Sequence, residues 1–228
     1  MKTLCIDVGG SGIKAIVVDG KGKALTERAR IETPQPATPG ACLEVIAQLA
    51  AAQGAFDRVS VGFPGVVVDG VTLSAPNLHA DWAGFPLAAQ IQKLTGKPVR
   101  AANDAGVQGL GVIEGKGVEC VITLGTGMGF GLYVDGRYVP NIELAHHPFR
   151  RNRTYEERVG NAAMLRAGKK RWNRRVLDVI TQLQPILNFR VLYLGGGNSK
   201  HVKAENLPAN VRVVDNVAGL LGGLRLWT

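Results

Sequence analysis

One repeat limits what this chain can fold into more than any other feature. Residues 5–20, CIDVGGSGIKAIVVDG, and residues 120–136, CVITLGTGMGFGLYVDG, share one layout. In each, an apolar run meets a Gly-Ser/Thr-Gly turn, a second apolar run follows, and Asp-Gly closes the unit. That pattern predicts two β-hairpins with wide, glycine-rich loops. Glycine lets the main chain approach a ligand closely, and Ser or Thr adds a hydroxyl, so such loops can cradle phosphate with N–H groups. Two of them on related halves can hold one phosphorylated ligand from both sides. The layout points to a two-lobed phosphotransferase with its site in a central cleft.

The rest of the chain reads as strands followed by helices, twice. Strands are predicted at 3–8, 13–19 and 24–32, and a helix at 41–53 with Leu43, Ile46, Ala47 and Ala50 on one face. A strand at 59–63, a helix from Pro86 to about Leu94 and a strand at 99–102 follow. The second hairpin, 121–139, precedes a helical region at 155–184. Trp172, Val176, Val179, Ile180 and Leu183 form its apolar stripe, and Pro185 stops it. Strands at 191–194 and 211–214 and a terminal helix at 217–227, placed to pack back on the first lobe, complete the pattern. The expected fold is α/β, duplicated, with lobes at 1–102 and 103–228.

Bulk properties narrow the partners. With 228 residues, 46% hydrophobic and 20% charged, the chain has material for one good core or two small ones. No apolar run approaches the roughly 20 residues that span a bilayer. The first strand begins at once, which leaves no room for a signal peptide, and Cys5, Cys42 and Cys120 form no metal or redox pattern. Reduced thiols and a cytoplasmic location are expected. The net charge of +9 asks for a polyanionic partner: nucleotide, polyphosphate, nucleic acid or an acidic membrane. It concentrates between Arg150 and Arg175, where ten basic residues face only Glu156 and Glu157.

Individual motifs carry chemistry, each beside a plainer reading. In Asp7-x-Gly9-Gly10-Ser11-Gly12-x-Lys14, Asp7 ends a buried strand, where it can hold Mg²⁺ through water while the glycine amides face phosphate. Alone, this would be an ordinary hairpin; the copy at Gly125-Thr126-Gly127 favours phosphate. Asn103-Asp104 sits where a strand becomes a helix. Asp104 can there accept a hydroxyl proton, or either residue can cap the helix. Glu143 and His146 can bond neighbouring sugar hydroxyls from one turn, or lie on the surface. Gly195-Gly196-Gly197 lets the backbone lie against adenine or phosphate, or is simply a turn. Lys169, Lys170 and Arg171 can line a phosphate chain, or belong to a solvated helix face.

Six of these motifs, in order, resemble the ROK family of sugar kinases, whose fold is actin-like and hexokinase-like; the closer likeness is to its polyphosphate glucokinase branch. Asp7–Lys14, Gly62-Phe-Pro-Gly-Val-Val67, Asn103-Asp-Ala105, Leu124-Gly-Thr-Gly-Met-Gly129, Val139-Pro-Asn-Ile-Glu-Leu-Ala-His146 and Gly195-Gly-Gly-Asn-Ser-Lys200 carry it. The resemblance implies phosphoryl transfer to the 6-hydroxyl of glucose or a related hexose, from ATP, polyphosphate or both. It implies Asp104 as the base, Asn77, Asn103, Glu143, His146 and either Glu156 or Glu157 as sugar ligands, Asp7 in the Mg²⁺ shell, and a homodimer. The Cys-rich zinc run common in the family is missing, so no zinc is expected. Between Gly160 and Val191 the chain is short, as if reduced to one long helix, which leaves the nucleotide pocket poorly walled. A regulatory binding protein is the rival reading, but the DNA-binding segment that precedes such relatives is not seen. Nucleic-acid binding is disfavoured because Tyr155 and Trp172 are the sole aromatics in the basic run.

Overall fold

The computed structural model describes residues 1–76, 78–214 and 222–227. The chain divides into two compact units, Met1–Gly111 with Ala218–Thr228, and Val112–Val217. The division expected after residue 102 moves to Gly111. The reason is local: the helix α3, Asp104–Leu110, packs on its own unit's strands, and a Cβ on Gly62 would stand 3.4 Å from the Asp104 Cα. A short helix, α7 (Gly222–Arg225), also belongs to this unit. The Ser60 hydroxyl donates to the Gly223 carbonyl at 2.6 Å, and the Trp227 indole N–H donates to Ser60 Oγ at 2.8 Å. Most of the helix expected at 217–227 lies outside the described residues.

The first unit is a five-stranded sheet. β1 (Thr3–Val8), β2 (Ile13–Val18) and β3 (Ala29–Ile31) form an antiparallel meander. β4 (Arg58–Phe63) and β7 (Val99–Asn103) extend it in parallel, giving the order β3-β2-β1-β4-β7. The small hairpin between them pairs β5 (Val67–Val68) with β6 (Val71–Thr72). The strand expected from residue 24 is shorter because Thr26 turns its hydroxyl onto the chain: Thr26 Oγ1 accepts from the Val17 N–H at 3.0 Å, in place of a ladder bond. Helix α1, Pro39–Gln53, starts where Thr38 caps it and Pro39 fits the first turn. Its buried face is Cys42, Val45, Ile46, Leu49 and Ala50, so Ile46 and Ala50 of the expected stripe are covered while Leu43 and Ala47 lie at its edge. The core joins this face to Leu4, Ile6, Val61, Phe63 and the fully buried Trp82. Helix α2, Leu87–Thr95, begins one residue after Pro86.

The second unit repeats the sheet. β8 (Val118–Leu124), β9 (Met128–Val134) and β10 (Arg137–Val139) form the meander, and β11 (Val191–Gly195) and β12 (Val211–Val213) add parallel strands. The order β10-β9-β8-β11-β12 is that of the first sheet. The expected α/β duplicated architecture is therefore the one observed. The predicted single helix after residue 155 is three: α4 (Tyr155–Val159), α5 (Asn161–Ala167) and α6 (Lys169–Leu187). Gly168, at φ +74°, turns the chain between the last two. Pro185 does not end α6; Asn188, left-handed at φ +47°, does so and returns its N–H to the Gln184 carbonyl at 2.8 Å. The expected stripe Trp172, Val176, Val179, Ile180 and Leu183 is buried against Ile122 and Leu124. No helix among the described residues is long and apolar enough to cross a membrane.

Candidate active site

In the first unit, β1, β4 and β7 run in parallel, and their carboxyl ends come together. Open α/β sheets place ligands at that edge. Asp7 stands opposite Gly62, and Phe63 opposite Asn103. The sheet thereby brings Asp7 and Asp104, separated by nearly a hundred residues of sequence, to the wall of one small cavity of about 10 Å³, with Ser60, Gly62 and Gln108. Gly62 lies against Asp104: a Cβ there would touch the Asp104 Cα at 3.4 Å, ordinary van der Waals contact.

The sequence left open whether Asn103 or Asp104 caps α3. Asn103 is the cap: its Oδ1 accepts from the N–H groups of Ala105 (3.0 Å) and Gly106 (3.2 Å), and its amide donates to the Gly65 carbonyl at 3.2 Å. Asp104 follows in the first turn, with Oδ1 accepting from Ala105 N–H at 2.7 Å. Asp7 pairs with Lys14 at 2.9 Å across the hairpin, a contact the spacing of the motif did not reveal. Around the loop, Gly10 and Ser11 are exposed while Gly12 is buried beneath Arg30, whose guanidinium donates to the Ser11 carbonyl at 2.8 Å. Thr33 donates its hydroxyl to the Gly9 carbonyl. Asn77 lies outside the described residues.

In the second unit the loop Gly125-Thr126-Gly127 is gripped by three segments. Glu156 Oε2 accepts from the Met128 N–H at 3.1 Å, and a Cβ on Gly127 would fall 2.0 Å from that oxygen. The Asn161 N–H donates to the Gly125 carbonyl at 3.0 Å. Asn198 donates to the same carbonyl at 3.1 Å through its side chain, and its N–H bonds the Leu124 carbonyl at 2.9 Å. The segment Gly195-Gly196-Gly197 thus lies directly on the loop; Gly196, at φ +87°, has no room for a side chain against Leu124. Asn161 and Asn198 escaped the sequence reading, though Asn198 follows the triple glycine directly.

Glu156 and Glu157 separate cleanly. Glu157 forms a capping box with Thr154, its Oε2 accepting from the Thr154 N–H at 2.8 Å, and pairs with Arg153 at 3.2 Å. Those N–H bonds and the neighbouring guanidinium hold its carboxyl below the usual range. Glu156 points at the loop instead. Glu143 and His146 lie on one 3₁₀ turn, 3.8 Å apart and partly exposed. Lys169 and Lys170 are exposed at the start of α6, whereas Arg171 joins Arg158, Arg166 and Arg175 around an open cavity of about 250 Å³. Among the described residues no group of three or more His, Cys, Asp or Glu side chains is arranged to hold a metal ion. Burial pushes the Cys5 and Cys120 thiols up to about 12, so neither serves as a nucleophile at neutral pH.

A sheet of one order built twice, each with a glycine-rich hairpin at its centre, defines the actin-like α/β class. The solved ROK family glucokinase from Streptomyces griseus, in complex with glucose and AMPPNP, shares that fold with a TM-score of 0.82 at 21% identity, covering 99% of both chains. Residues 3–140 match the ROK family, and the chain belongs to it. It is similar to polyphosphate glucokinase of Mycobacterium tuberculosis, 32% identical over 95% of this chain and 88% of the relative. It is also similar to the inorganic polyphosphate/ATP-glucomannokinase of Arthrobacter sp. strain KM, with a TM-score of 0.86 and 33% identity over 98% of this chain and 96% of that one.

Proposed function

We propose that the protein is a sugar kinase that moves a phosphoryl group from inorganic polyphosphate or ATP to the 6-hydroxyl of glucose. The observation that carries this reading is the cavity shared by Asp7 and Asp104 at the carboxyl ends of β1, β4 and β7. Two carboxylates so placed divide the labour of phosphoryl transfer. Asp104 takes the proton of the sugar hydroxyl as its oxygen attacks the terminal phosphorus. The bond from that phosphorus to the bridging oxygen breaks, and the shortened chain or ADP leaves with the electron pair. Asp7, one carboxylate paired with Lys14, suits Mg²⁺ held mainly by water and by the donor's own phosphates. The ion, when bound, would offset charge on the phosphate oxygens.

Asn103, held by its cap on α3 and by the Gly65 carbonyl, precedes the base in sequence, and the same reading gives its remaining amide hydrogen to the sugar. In the second unit the same reading gives Glu156, Glu143 and His146 to sugar hydroxyls. Glu156 is favoured over Glu157 because the capping box already uses Glu157. The backbone N–H groups of the two loops serve the donor phosphates. One relative is named for polyphosphate and the solved glucomannokinase for polyphosphate and ATP, which supports polyphosphate first, ATP as a second donor and mannose as a second acceptor.

The test is formation of glucose 6-phosphate from glucose and Mg²⁺, run in parallel with ATP and with long-chain polyphosphate. Product with either donor is expected. No product with both, at protein concentrations where glucose binding is measured directly, overturns the reading in favour of a binding protein.

A further inference from the structure

The sequence marked a basic run; the fold selects part of it. Arg158 lies in the last turn of α4, Arg166 in the last turn of α5, and Arg171 and Arg175 one turn apart on α6. Together with Arg153, Glu157 and Ala167 these four side chains line the cavity of about 250 Å³. Lys169, Lys170 and Arg174, equally basic in sequence, do not line it.

The charge inside is unbalanced. Among the described residues none of the four arginines has a carboxylate partner, and the one acid in the lining, Glu157, already pairs with Arg153. The Arg158 Nε is buried and has no hydrogen-bond partner, a costly state for a charged donor. Burial lowers the proton affinity of Arg175, and the charges of Arg158, Arg171 and Arg166 lower it further. Like charges held together at a cost to the apo protein are stabilised by an anion with several oxygens. The cavity is open and polar, and two stacking aromatics that single-stranded nucleic acid would want are elsewhere: Tyr155 and Trp172 are both buried.

Position adds to the argument. Glu156 and Arg158 are two residues apart, about 200° around α4. One faces the glycine-rich loop and the other the arginine cavity, so the cavity is separate from the loop and only a helix away.

We propose that Arg158, Arg166, Arg171 and Arg175 form a second phosphate site, one that holds an inorganic polyphosphate chain at a point remote from its reacting end. The choice of polyphosphate rests on the function proposed above; the presence of an anion site does not. A long chain that engages this site and the reacting site together gains effective concentration, while ATP, with three phosphates, engages only one.

The experiment compares Arg166→Gln and Arg171→Gln, both exposed and safe for folding, with Arg174→Gln, which removes the same charge outside the cavity. The KM for long-chain polyphosphate is expected to rise about tenfold in the first two and less than about twofold in the third, with KM for ATP unchanged in all. Equal rises in all three, or parallel rises for ATP, overturn the site. If the wild type makes no product from polyphosphate, isothermal titration with sodium tripolyphosphate decides alone. Weakening by Arg166→Gln and Arg171→Gln but not Arg174→Gln then sustains the anion site while the donor reading fails. A single-stranded DNA oligomer of equal charge that binds as tightly as polyphosphate, and is lost in the same variants, also overturns the assignment.

Discussion

The two glycine-rich hairpins share a strand order and a loop, yet they are held by different chemistry. At the position two residues before the loop, the first has Asp7 and the second Thr123, each opposite a glycine of the neighbouring parallel strand. The first loop is tied by charge and hydroxyls: Lys14 on Asp7, Arg30 on Ser11, Thr33 on Gly9. The second is tied by backbone and amide bonds from Asn161 and Asn198 and by Glu156. Their closing Asp-Gly turns differ too. Asp135 and Gly136, at φ +49° and +79°, make a tight two-residue turn, whereas Asp19 caps a longer loop through the N–H groups of Lys21 and Lys23. The two copies share a scaffold, but where the first carries the carboxylate of Asp7 the second carries the hydroxyl of Thr123.

Six variants, in four tests, break or sharpen that contrast. The largest effect belongs to Asp104→Asn, expected to lower kcat by about 10²- to 10⁴-fold with the affinity for glucose retained; turnover like wild type removes Asp104 as the base. Next, Asp7→Asn should raise the Mg²⁺ needed for half-maximal rate by about 10- to 100-fold. Thr123→Val should leave it unchanged, and a matching rise there would erase the difference between the hairpins.

A third contrast lies within the second loop. Gly127→Ala must expel Glu156 and should cost about 1–3 kcal/mol in thermal unfolding. Gly125→Ala, with open space around its Cβ, should cost far less; equal losses would show that the loop does not press on Glu156.

The smallest effect concerns the base of each hairpin. Thr3, the first residue of β1, and Glu119, the second of β8, are both fully buried. Burial pushes the Glu119 carboxyl up, but N–H bonds from Glu114, Lys116 and Gly115 and the Tyr193 hydroxyl outweigh it and leave it lowered. Its folded pKa lies below the unfolded value of about 4.3. Its stabilisation is therefore complete above that pH and lost as pH falls through the folded value. The second unit should lose stability below about pH 4, and Glu119→Gln should flatten that part of the profile and cost about 1–3 kcal/mol at pH 7. An unaltered acid profile in Glu119→Gln would place the sensitivity elsewhere.

Periodicity and turn chemistry were enough to locate both hairpins, the α6 stripe and the strand-to-helix junction at Asn103-Asp104, because these depend on neighbours in sequence. Errors arose where a distant partner intervened. Thr26 shortens β3 through Val17, and the inward face of α1 keeps Ile46 and Ala50 but shifts toward Cys42, Val45 and Leu49, because its position on the sheet decides which side is covered. At the break after Gly160 the Asn161 N–H leaves the helix for the Gly125 and Thr126 carbonyls, at 3.0 and 3.2 Å. The basic run shows the same limit, since arginines at 158, 166, 171 and 175 converge only after three helices fold back on one another.

The sequence by itself determined the duplicated α/β plan and the two loops. Spacing within one strand or turn is a local property, governed by alternation and by glycine's freedom of φ. Tertiary structure alone decided that Asp7 and Asp104 share a cavity, that Asn103 rather than Asp104 caps α3, that Glu156 meets the loop while Glu157 is spent on its own helix, and which cations gather. Those outcomes depend on which strands pair in parallel and which helix faces meet, and no spacing along the chain encodes such distances.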